Sequence, residues 1–350
     1  MTTARLSARL GGVTTYGKGD AISQYRPLST LASPSRDALG RQDARAPAAL
    51  LALGGIWGSS FLFIKVIVEE VSPLELVAGR LALGAMAVTV ALLWRRRPTG
   101  WTPGLLARVS VVAVVSNILP FFLVATGEEH IDSGAASVLN STMPIFTAVL
   151  AAVFLPDERL TVGRLVGLLL GFAGVAALAG RGVTRLTDAD VLSEMAVVGA
   201  ALCYGLGSVY ARTLLRQQDP LALSALQLGL SALIVLPLVF IVEGRPQTSL
   251  SPEATLSLLA LGLGGTGAAY IGYLWLIEVA GSVRASLVTY IIPLMALFLG
   301  WAVLGESIGL NTIAGFALIA SGIAAVMRGQ TPPRLSRPSH DRAHGAGNSR

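Results

Sequence analysis

Residues 133–155 read SGAASVLNSTMPIFTAVLAAVFL, and residues 282–304 read SVRASLVTYIIPLMALFLGWAVL. The two stretches are versions of one sequence, in which Ala136 corresponds to Ala285 and Pro144 to Pro293. Each is apolar for most of its length and carries one internal proline. Proline lacks a backbone N–H and kinks or breaks a helix. The pair therefore predicts two membrane helices, one in each half of the chain, each with a kink at the matching place.

The correspondence extends through the rest of the chain in the same order. Trp57 falls on Tyr204, Arg80 on Gln227 and Glu129 on Glu278. Each copy holds five apolar blocks of about 17–25 residues, the length that crosses a bilayer as a helix. Because five is odd, the second copy enters the membrane upside down relative to the first. The prediction is an all-α integral membrane protein with ten transmembrane helices in two inverted five-helix repeats, residues 48–180 and 190–327.

Composition excludes several other classes of protein. The 350 residues are 53% hydrophobic and 13% charged, against about 25% charged in soluble domains. A single cysteine, Cys203, allows no intramolecular disulfide, and three histidines are too few to suggest a metal site. No metal and no cofactor are predicted. The polar, arginine-rich segments 1–46 and 328–350 are expected to be disordered cytoplasmic tails, and whether residues 1–46 are translated is left open.

The basic residues predict orientation rather than nucleic-acid binding. With the N-terminus inside, the inner segments hold both tails, the Arg95–Arg96–Arg97 run and Arg212, whereas the outer loops hold Arg181, Arg185 and Arg245 and are otherwise acidic or neutral, as in VEEVSP and GEEHID. An excess of Lys and Arg marks cytoplasmic loops. Both termini are therefore expected in the cytoplasm. The arginine-rich, lysine-poor composition is typical of a bacterium, which places the protein in the cell membrane.

Four segments resemble the EamA family of the drug/metabolite transporter superfamily. They are WGSSFLFIKV, SPLELVAGRLALGA, MPIFTAVLAAVFLPDERLT with GRLVGLLLGFAGV, and IPLMALFLGWAVLGESI with IAGFALIASGIAAV. The resemblance covers about residues 48–327. It implies a ten-helix carrier with a central cavity, often an exporter of metabolites or amino acids, without fixing one substrate. Gln227, where the first half has Arg80, makes any charge at that position one-sided.

Arg80 is the strongest candidate for substrate binding, because it lies about seven residues into the second block, roughly 10 Å deep at 1.5 Å per residue. A buried membrane arginine faces a cavity or a partner. It would anchor a carboxylate or phosphate; the alternatives are an ion pair with Glu75 or a snorkelled side chain. The uncharged candidates are Asn117, Asn140, Tyr204, Gln227, Tyr270 and Tyr290.

Several other residues are interpreted structurally. Pro144 and Pro293 are predicted helix kinks that line the cavity, with Ser141 or Thr142 bonding freed carbonyls. Lys65 and Arg212 are expected to snorkel towards the interface, and Glu158 and Glu306 to pair with helix ends. GLGGTG at 262–267 matches a dinucleotide fingerprint but lies inside a membrane helix, which argues against that function.

The sequence predicts a secondary transporter, not an enzyme, that exports small amino-acid-like or amphipathic metabolites by alternating access. The alternatives are a sugar-phosphate or nucleotide-sugar antiporter of the same superfamily and a non-transport membrane scaffold. The partners expected are a small-molecule substrate and the lipid bilayer, with no nucleic acid; a homodimer is left open.

Overall fold

The helices were located in a computed structural model, which describes residues 45–328 except 97–99, 155–160, 180–188, 216–217, 245–248, 281–284 and 286–287. The first repeat contains α1 (Ala46–Val68), α2 (Pro73–Trp94), α3 (Pro103–Glu128), α4 (Ser133–Phe154) and α5 (Val162–Ala179). The second contains α6 (Ala189–Leu215), α7 (Pro220–Val242), α8 (Pro252–Leu259, Ala260–Ala268 and Ala269–Ala280), α9 (Val288–Leu299 and Gly300–Leu304) and α10 (Leu310–Arg328).

These helices have the length and polarity of membrane spans. Among the described residues, seven helices are long and apolar enough to cross a bilayer, namely α1–α4 and α6–α8, and three apolar helices in α5, α9 and α10 are shorter. Large apolar side chains such as Trp94, Phe240 and Ile241 are exposed, as expected of a lipid-facing surface. The protein is therefore an all-helical, multi-pass membrane protein, and ten complete spans stay a prediction.

Helix neighbours follow the repeat. The pair α1–α9 corresponds to α6–α4, the pair α3–α6 to α8–α1, and the pair α2–α8 to α7–α3, and all six pairs are in contact. The contacts α2–α7 and α5–α10 each join a helix to its own counterpart, so they stay the same when the two repeats are exchanged. The two halves therefore pack around a pseudo-two-fold relation, and α1, α4, α6 and α9 lie in the middle of the bundle.

Small residues let these central helices approach closely. A Cβ atom built on Gly58 would lie 2.5 Å from Cβ of Met295, and one built on the matching Gly205 would lie 3.2 Å from Cβ of Phe146. Gly84 of α2 is similarly tight against Thr266 of α8, at 2.6 Å. Membrane helices use such positions because backbones must come close to gain packing energy without a hydrophobic driving force.

The helix carrying Pro144 is broken where the sequence predicts a kink. The first part of α4 ends at Asn140, residues 141–142 form a turn, and the second part begins at Met143. Ser141 Oγ donates to the carbonyl of Val138 at 2.6 Å, and Thr142 Oγ1 donates to that of Leu139 at 2.8 Å. The same two carbonyls also accept the backbone N–H groups of Ser141 and Thr142, at 3.1 Å each, so the hydroxyls add second hydrogen bonds at the break. Around Pro293 the described helix runs on unbroken from Val288 to Leu299.

One end of the bundle is held by carboxylates at helix N-termini. Glu306 accepts hydrogen bonds from the backbone N–H groups of Ser133 (2.8 Å) and Gly134 (3.1 Å) and from Ser133 Oγ (3.0 Å), at the start of α4. This confirms the prediction for Glu306; Glu158 lies outside the described residues. The N-cap Asp132 makes no side-chain cap bond, so Glu306 of the second repeat caps this helix in its place.

Two further contacts at the same end also join the repeats. Ser72, the N-cap of α2, donates to Glu243 after α7 at 2.7 Å, and Ser251, the N-cap of α8, donates through its backbone N–H to Glu70 after α1 at 2.8 Å. We call the end formed by residues 69–72, 129–133, 243–244, 249–251 and 305–306 the clasped end.

Lys65 also lies at the clasped end, and its snorkelling towards the interface stays a prediction. Its Nζ donates to the backbone carbonyls of Glu128 at 2.6 Å and Ile131 at 3.1 Å, and so binds the C-terminus of α3. Cations are favoured there because the last carbonyls of a helix are unpaired and carry partial negative charge. The side chain of Arg212 lies outside the described residues.

Candidate substrate cavity

A cavity of about 320 Å³ lies among the central helices. Its walls come from both repeats. Aromatic side chains make up much of the lining: Trp57, Phe61, Phe121, Tyr204, Tyr270 and Tyr273. The polar lining residues are Ser60, Arg80, Ser137, Asn140, Ser141 and Thr289. Aromatic walls with a few placed polar groups are typical of sites for small organic molecules.

Arg80 is the cation of this cavity. It is 7% exposed, its Nε donates to Thr266 Oγ1 at 2.9 Å, and its guanidinium carbon lies 3.7 Å from the centre of the Phe121 ring. Stacking on an aromatic face and one hydrogen bond hold the guanidinium in place. Since this group has five N–H donors, the bond to Thr266 leaves donors in the paired arrangement that a carboxylate accepts. Its contacts are those of a buried arginine rather than a snorkelled one.

Asn117 and Gln227 lie together beside the cavity and are not among its lining residues. Gln227 Nε2 donates to Asn117 Oδ1 at 3.0 Å, Tyr270 OH donates to the same oxygen at 3.2 Å, and Asn117 Nδ2 donates to Ser231 Oγ at 3.0 Å. Asn117 is fully buried. The amide thus orients Tyr270, which does line the cavity.

The Arg80–Thr266 and Gln227–Asn117 hydrogen bonds occupy equivalent positions in the two repeats. In the register that pairs Glu129 with Glu278, Asn117 corresponds to Thr266, and Gln227 is the counterpart of Arg80. The bond from Gln227 to Asn117 is therefore the repeat equivalent of the bond from Arg80 to Thr266. Asn117 and Thr266 both lie in π-helical segments, 114–118 and 260–268, which are frequent at functional sites. The hydrogen-bonding groups beside the cavity thus follow the repeat, whereas the charge of Arg80 is present in the first repeat only.

The remaining predicted site residues fall in several places. Tyr204 and Asn140 line the cavity with Arg80 and Tyr270. The Oδ1 atom of Asn140 is buried with no hydrogen-bond partner among the described residues. The side chain of Tyr290 lies outside the described residues, and the repeat counterpart of Asn140 is the lining residue Thr289. The structure therefore brings four of the seven predicted binding residues to the cavity wall and two behind it.

The GLGGTG segment lies inside α8, as expected, in its π-helical part. A Cβ on Gly262 would lie 2.5 Å from Cβ of Leu83, and one on Gly267 would lie 2.5 Å from Cβ of Ala87. The glycines thus let α2 and α8 touch, which brings Thr266 within reach of Arg80. Among the described residues no three His, Cys, Asp or Glu side chains are grouped as metal ligands.

Glu128 is a residue that sequence reasoning assigned to a loop. It is the last residue of α3, fully buried, and neither carboxylate oxygen has a hydrogen-bond partner within the described part of the chain. The spacing of residues along the helix could have indicated that Glu128 is buried. Asn117, Phe121, Val124 and Glu128 are spaced by four, three and four residues, which places them on one helix face.

Comparison with known proteins agrees with the two-repeat layout. The model of the EamA-like transporter family matches residues 46–180 and again residues 191–328. The chain belongs to this family. EamA-like relatives include the "Uncharacterized transporter YoaV" of Bacillus subtilis, which is 29% identical over 77% of this chain and 91% of its own length.

A second relative carries a more specific name. The "Probable terminal-alkyne amino-acid exporter" of Streptantibioticus cattleyicolor is 27% identical over 77% of this chain and 88% of its own length. A chain of known crystal structure aligns with a TM-score of 0.57 at 21% identity, over 81% of this EamA-like chain and 97% of that one. At this identity the structural likeness shows the fold.

Proposed function

We propose that this protein is a secondary carrier that exports small amino-acid-like or amphipathic metabolites by alternating access. The observation that carries the proposal is Arg80, a buried guanidinium on the wall of a largely aromatic cavity shared by the two repeats. A charged side chain inside a membrane bundle is costly and is a functional candidate by default. In this proposal Arg80 binds the carboxylate of the substrate.

The aromatic walls suit the rest of such a molecule. Trp57 and Tyr273 pack with ring centres 5.2 Å apart, and Phe121 and Tyr204 with centres 6.3 Å apart. Trp57 Nε1 donates to the carbonyl of Gly265 at 3.0 Å, which fixes its ring. Rigid aromatic faces bind apolar side chains without further loss of rotamer entropy. The name of the Streptantibioticus relative, an amino-acid exporter, supports the same class of substrate.

The alternative of a sugar-phosphate or nucleotide-sugar antiporter is less well supported. A phosphate substrate favours several converging cations, yet within the described part of the chain Arg80 is the cation on the cavity wall. Lys65 is engaged by backbone carbonyls at the clasped end. A cavity of about 320 Å³ is also at the small end for ligand sites.

Alternating access is proposed from the repeat. Inverted halves can exchange roles, so that a cavity between them opens first to one side and then to the other. The break at residues 141–142 lies in α4, and Pro293 lies in α9, which is the counterpart of α4 in the second repeat. With both termini in the cytoplasm, the clasped end faces outward, and its contacts between repeats must break for release.

The test is counterflow in proteoliposomes with a panel of radiolabelled aliphatic and aromatic L-amino acids. We expect at least one to exchange, and Arg80→Ala to raise its apparent KM about thirty-fold, which corresponds to roughly 2 kcal/mol for a lost charged hydrogen bond. Arg95→Ala, on an exposed arginine at the end of the same helix, is the matched control. Unchanged exchange by Arg80→Ala removes Arg80 from the site; absence of any exchange refutes this substrate class.

A further inference from the structure

Glu128, like Arg80, is a buried titratable residue without a charged counterpart in the other repeat. Its counterpart in the second repeat is Ile277, just as the counterpart of Arg80 is Gln227. Both side chains belong to the first repeat. A symmetric scaffold does not need either of them. The charges are therefore candidates for function rather than for holding the two halves together.

The surroundings of Glu128 disfavour a carboxylate anion. The side chain is 0% exposed, and neither oxygen receives a hydrogen bond among the described residues. Lys65 is close enough to donate to the backbone carbonyl of Glu128, yet its Nζ bonds that oxygen and the carbonyl of Ile131 rather than the carboxylate. Burying an unpaired charge costs far more than burying a neutral acid. The arrangement fits a neutral, protonated side chain.

We propose that Glu128 is the proton-binding residue of the transport cycle, protonated while the clasped end is closed and deprotonated when that end opens to water. This inference rests on the proposed transport function. Glu128 lies one helical turn beyond Val124 of the cavity wall, between the cavity and the clasped end. A proton bound to Glu128 is therefore shielded from water when the clasped end is closed and exposed to water when that end is open.

Lys65 supplies the coupling. While Glu128 is neutral, Lys65 holds the end of α3 by its bonds to two carbonyls. Loss of the proton creates an anion beside Lys65, and a carboxylate is a stronger acceptor for an ammonium group than a carbonyl is. Lys65 would then leave the carbonyls of Glu128 and Ile131, and the turn between α3 and α4 would loosen. Deprotonation and opening of the clasped end therefore favour each other.

Other charged groups around Glu128 modulate this equilibrium. The charged groups near Glu128 are Glu306, which caps the start of α4, Lys65 of α1 and Arg80 of α2. Asp132 at the start of α4 is influenced by Glu306 and Lys65. On α6, which packs against Gly127, Glu194 has Asp190 as its electrostatic neighbour. Glu129 and His130 follow Glu128 and are exposed.

Infrared spectroscopy tests the proton site without a transport substrate. For the full chain in lipid nanodiscs at pH 7, we expect a C=O stretching band of a buried protonated carboxyl group. The band should disappear in Glu128→Gln, shift in Glu128→Asp and persist in Glu129→Gln, a matched change at the exposed neighbour. A spectrum of Glu128→Gln equal to that of the unmodified chain overturns the proposal. So does a wild-type spectrum without the band.

Proteoliposomes then separate this proposal from the proposed function. With an L-amino acid that exchanges, Glu128→Gln should slow counterflow and lose accumulation driven by a pH gradient, because its side chain is fixed in the neutral form that favours closure of the clasped end, whereas Glu129→Gln should keep both. Gradient-driven accumulation that survives in Glu128→Gln overturns coupling through Glu128. If the infrared band depends on Glu128 but no amino acid exchanges, the proposed substrate class fails and the proton site stands.

Discussion

Replacement of Glu306 by alanine should release the N-terminus of α4. The carboxylate accepts hydrogen bonds of 2.8, 3.0 and 3.1 Å from two backbone N–H groups and one hydroxyl, in place of the missing cap from Asp132. Loss of an N-cap costs about 1 kcal/mol, and loss of a negative charge at a helix N-terminus about 0.3–1 kcal/mol more. With the Ser133 hydroxyl left unpaired, the total is roughly 2 kcal/mol.

Hydrogen exchange measures this change where it occurs. A loss of about 2 kcal/mol accelerates exchange of the Ser133 and Gly134 amides about thirty-fold, if exchange follows local opening. Mass spectrometry of peptides covering residues 130–140 reads it in the purified protein. Glu306→Gln keeps one acceptor oxygen and should fall between, and Ser307→Ala, at an exposed neighbour, should change nothing. Unaltered exchange in Glu306→Ala would show that Glu306 does not cap α4.

Two further predictions concern packing and pH. Gly84→Ala should destabilise the protein by about 1–3 kcal/mol, because the added Cβ would lie 2.6 Å from Thr266. Gly229→Ala, whose Cβ would meet nothing within 4 Å, should instead stabilise the protein by up to about 1 kcal/mol. Thermal unfolding in detergent compares the two variants, and equal shifts in melting temperature would contradict the packing argument. Hydrogen bonds from Ser251 lower the pKa of Glu70. The stabilising effect of this carboxylate is therefore complete above the ordinary glutamate range and is lost as the pH falls through that range to the lowered pKa. The fall in melting temperature between pH 7 and roughly pH 3 should shrink in Glu70→Gln and not in Glu69→Gln; the same fall in both variants would refute it.

Much of the site frame was predictable because the repeat itself encodes geometry. Arg80 and Gln227 occupy matching positions, and their partners Thr266 and Asn117 match as well. The break beside Pro144 was also predictable, since proline has no N–H for the helix ladder, although the described helix around Pro293 runs on unbroken. Such features depend on local chemistry and on the order of residues along the chain.

Features that depend on contacts between distant helices were not predictable. The acceptors of Lys65, which are the carbonyls of Glu128 in α3 and of Ile131 in the turn after it, were not predicted. Glu128 was assigned to a loop because GEEHID is polar, although the helix continues to Glu128 and buries it. In both cases the partner or the burial comes from a different helix. The spacing of Glu128 from Phe121 and Val124 gives its helix face, but not the neighbours that bury it.

The clasped end has a consequence for how the protein responds to ionic strength. Each of its three described contacts between repeats joins a carboxylate to hydroxyl or amide donors rather than to a cation. Dissolved salt screens pairs of charges over distances of about 10 Å at 0.1 M, but it scarcely weakens a direct hydrogen bond. Closure at this end should therefore be nearly constant from dilute to saline media.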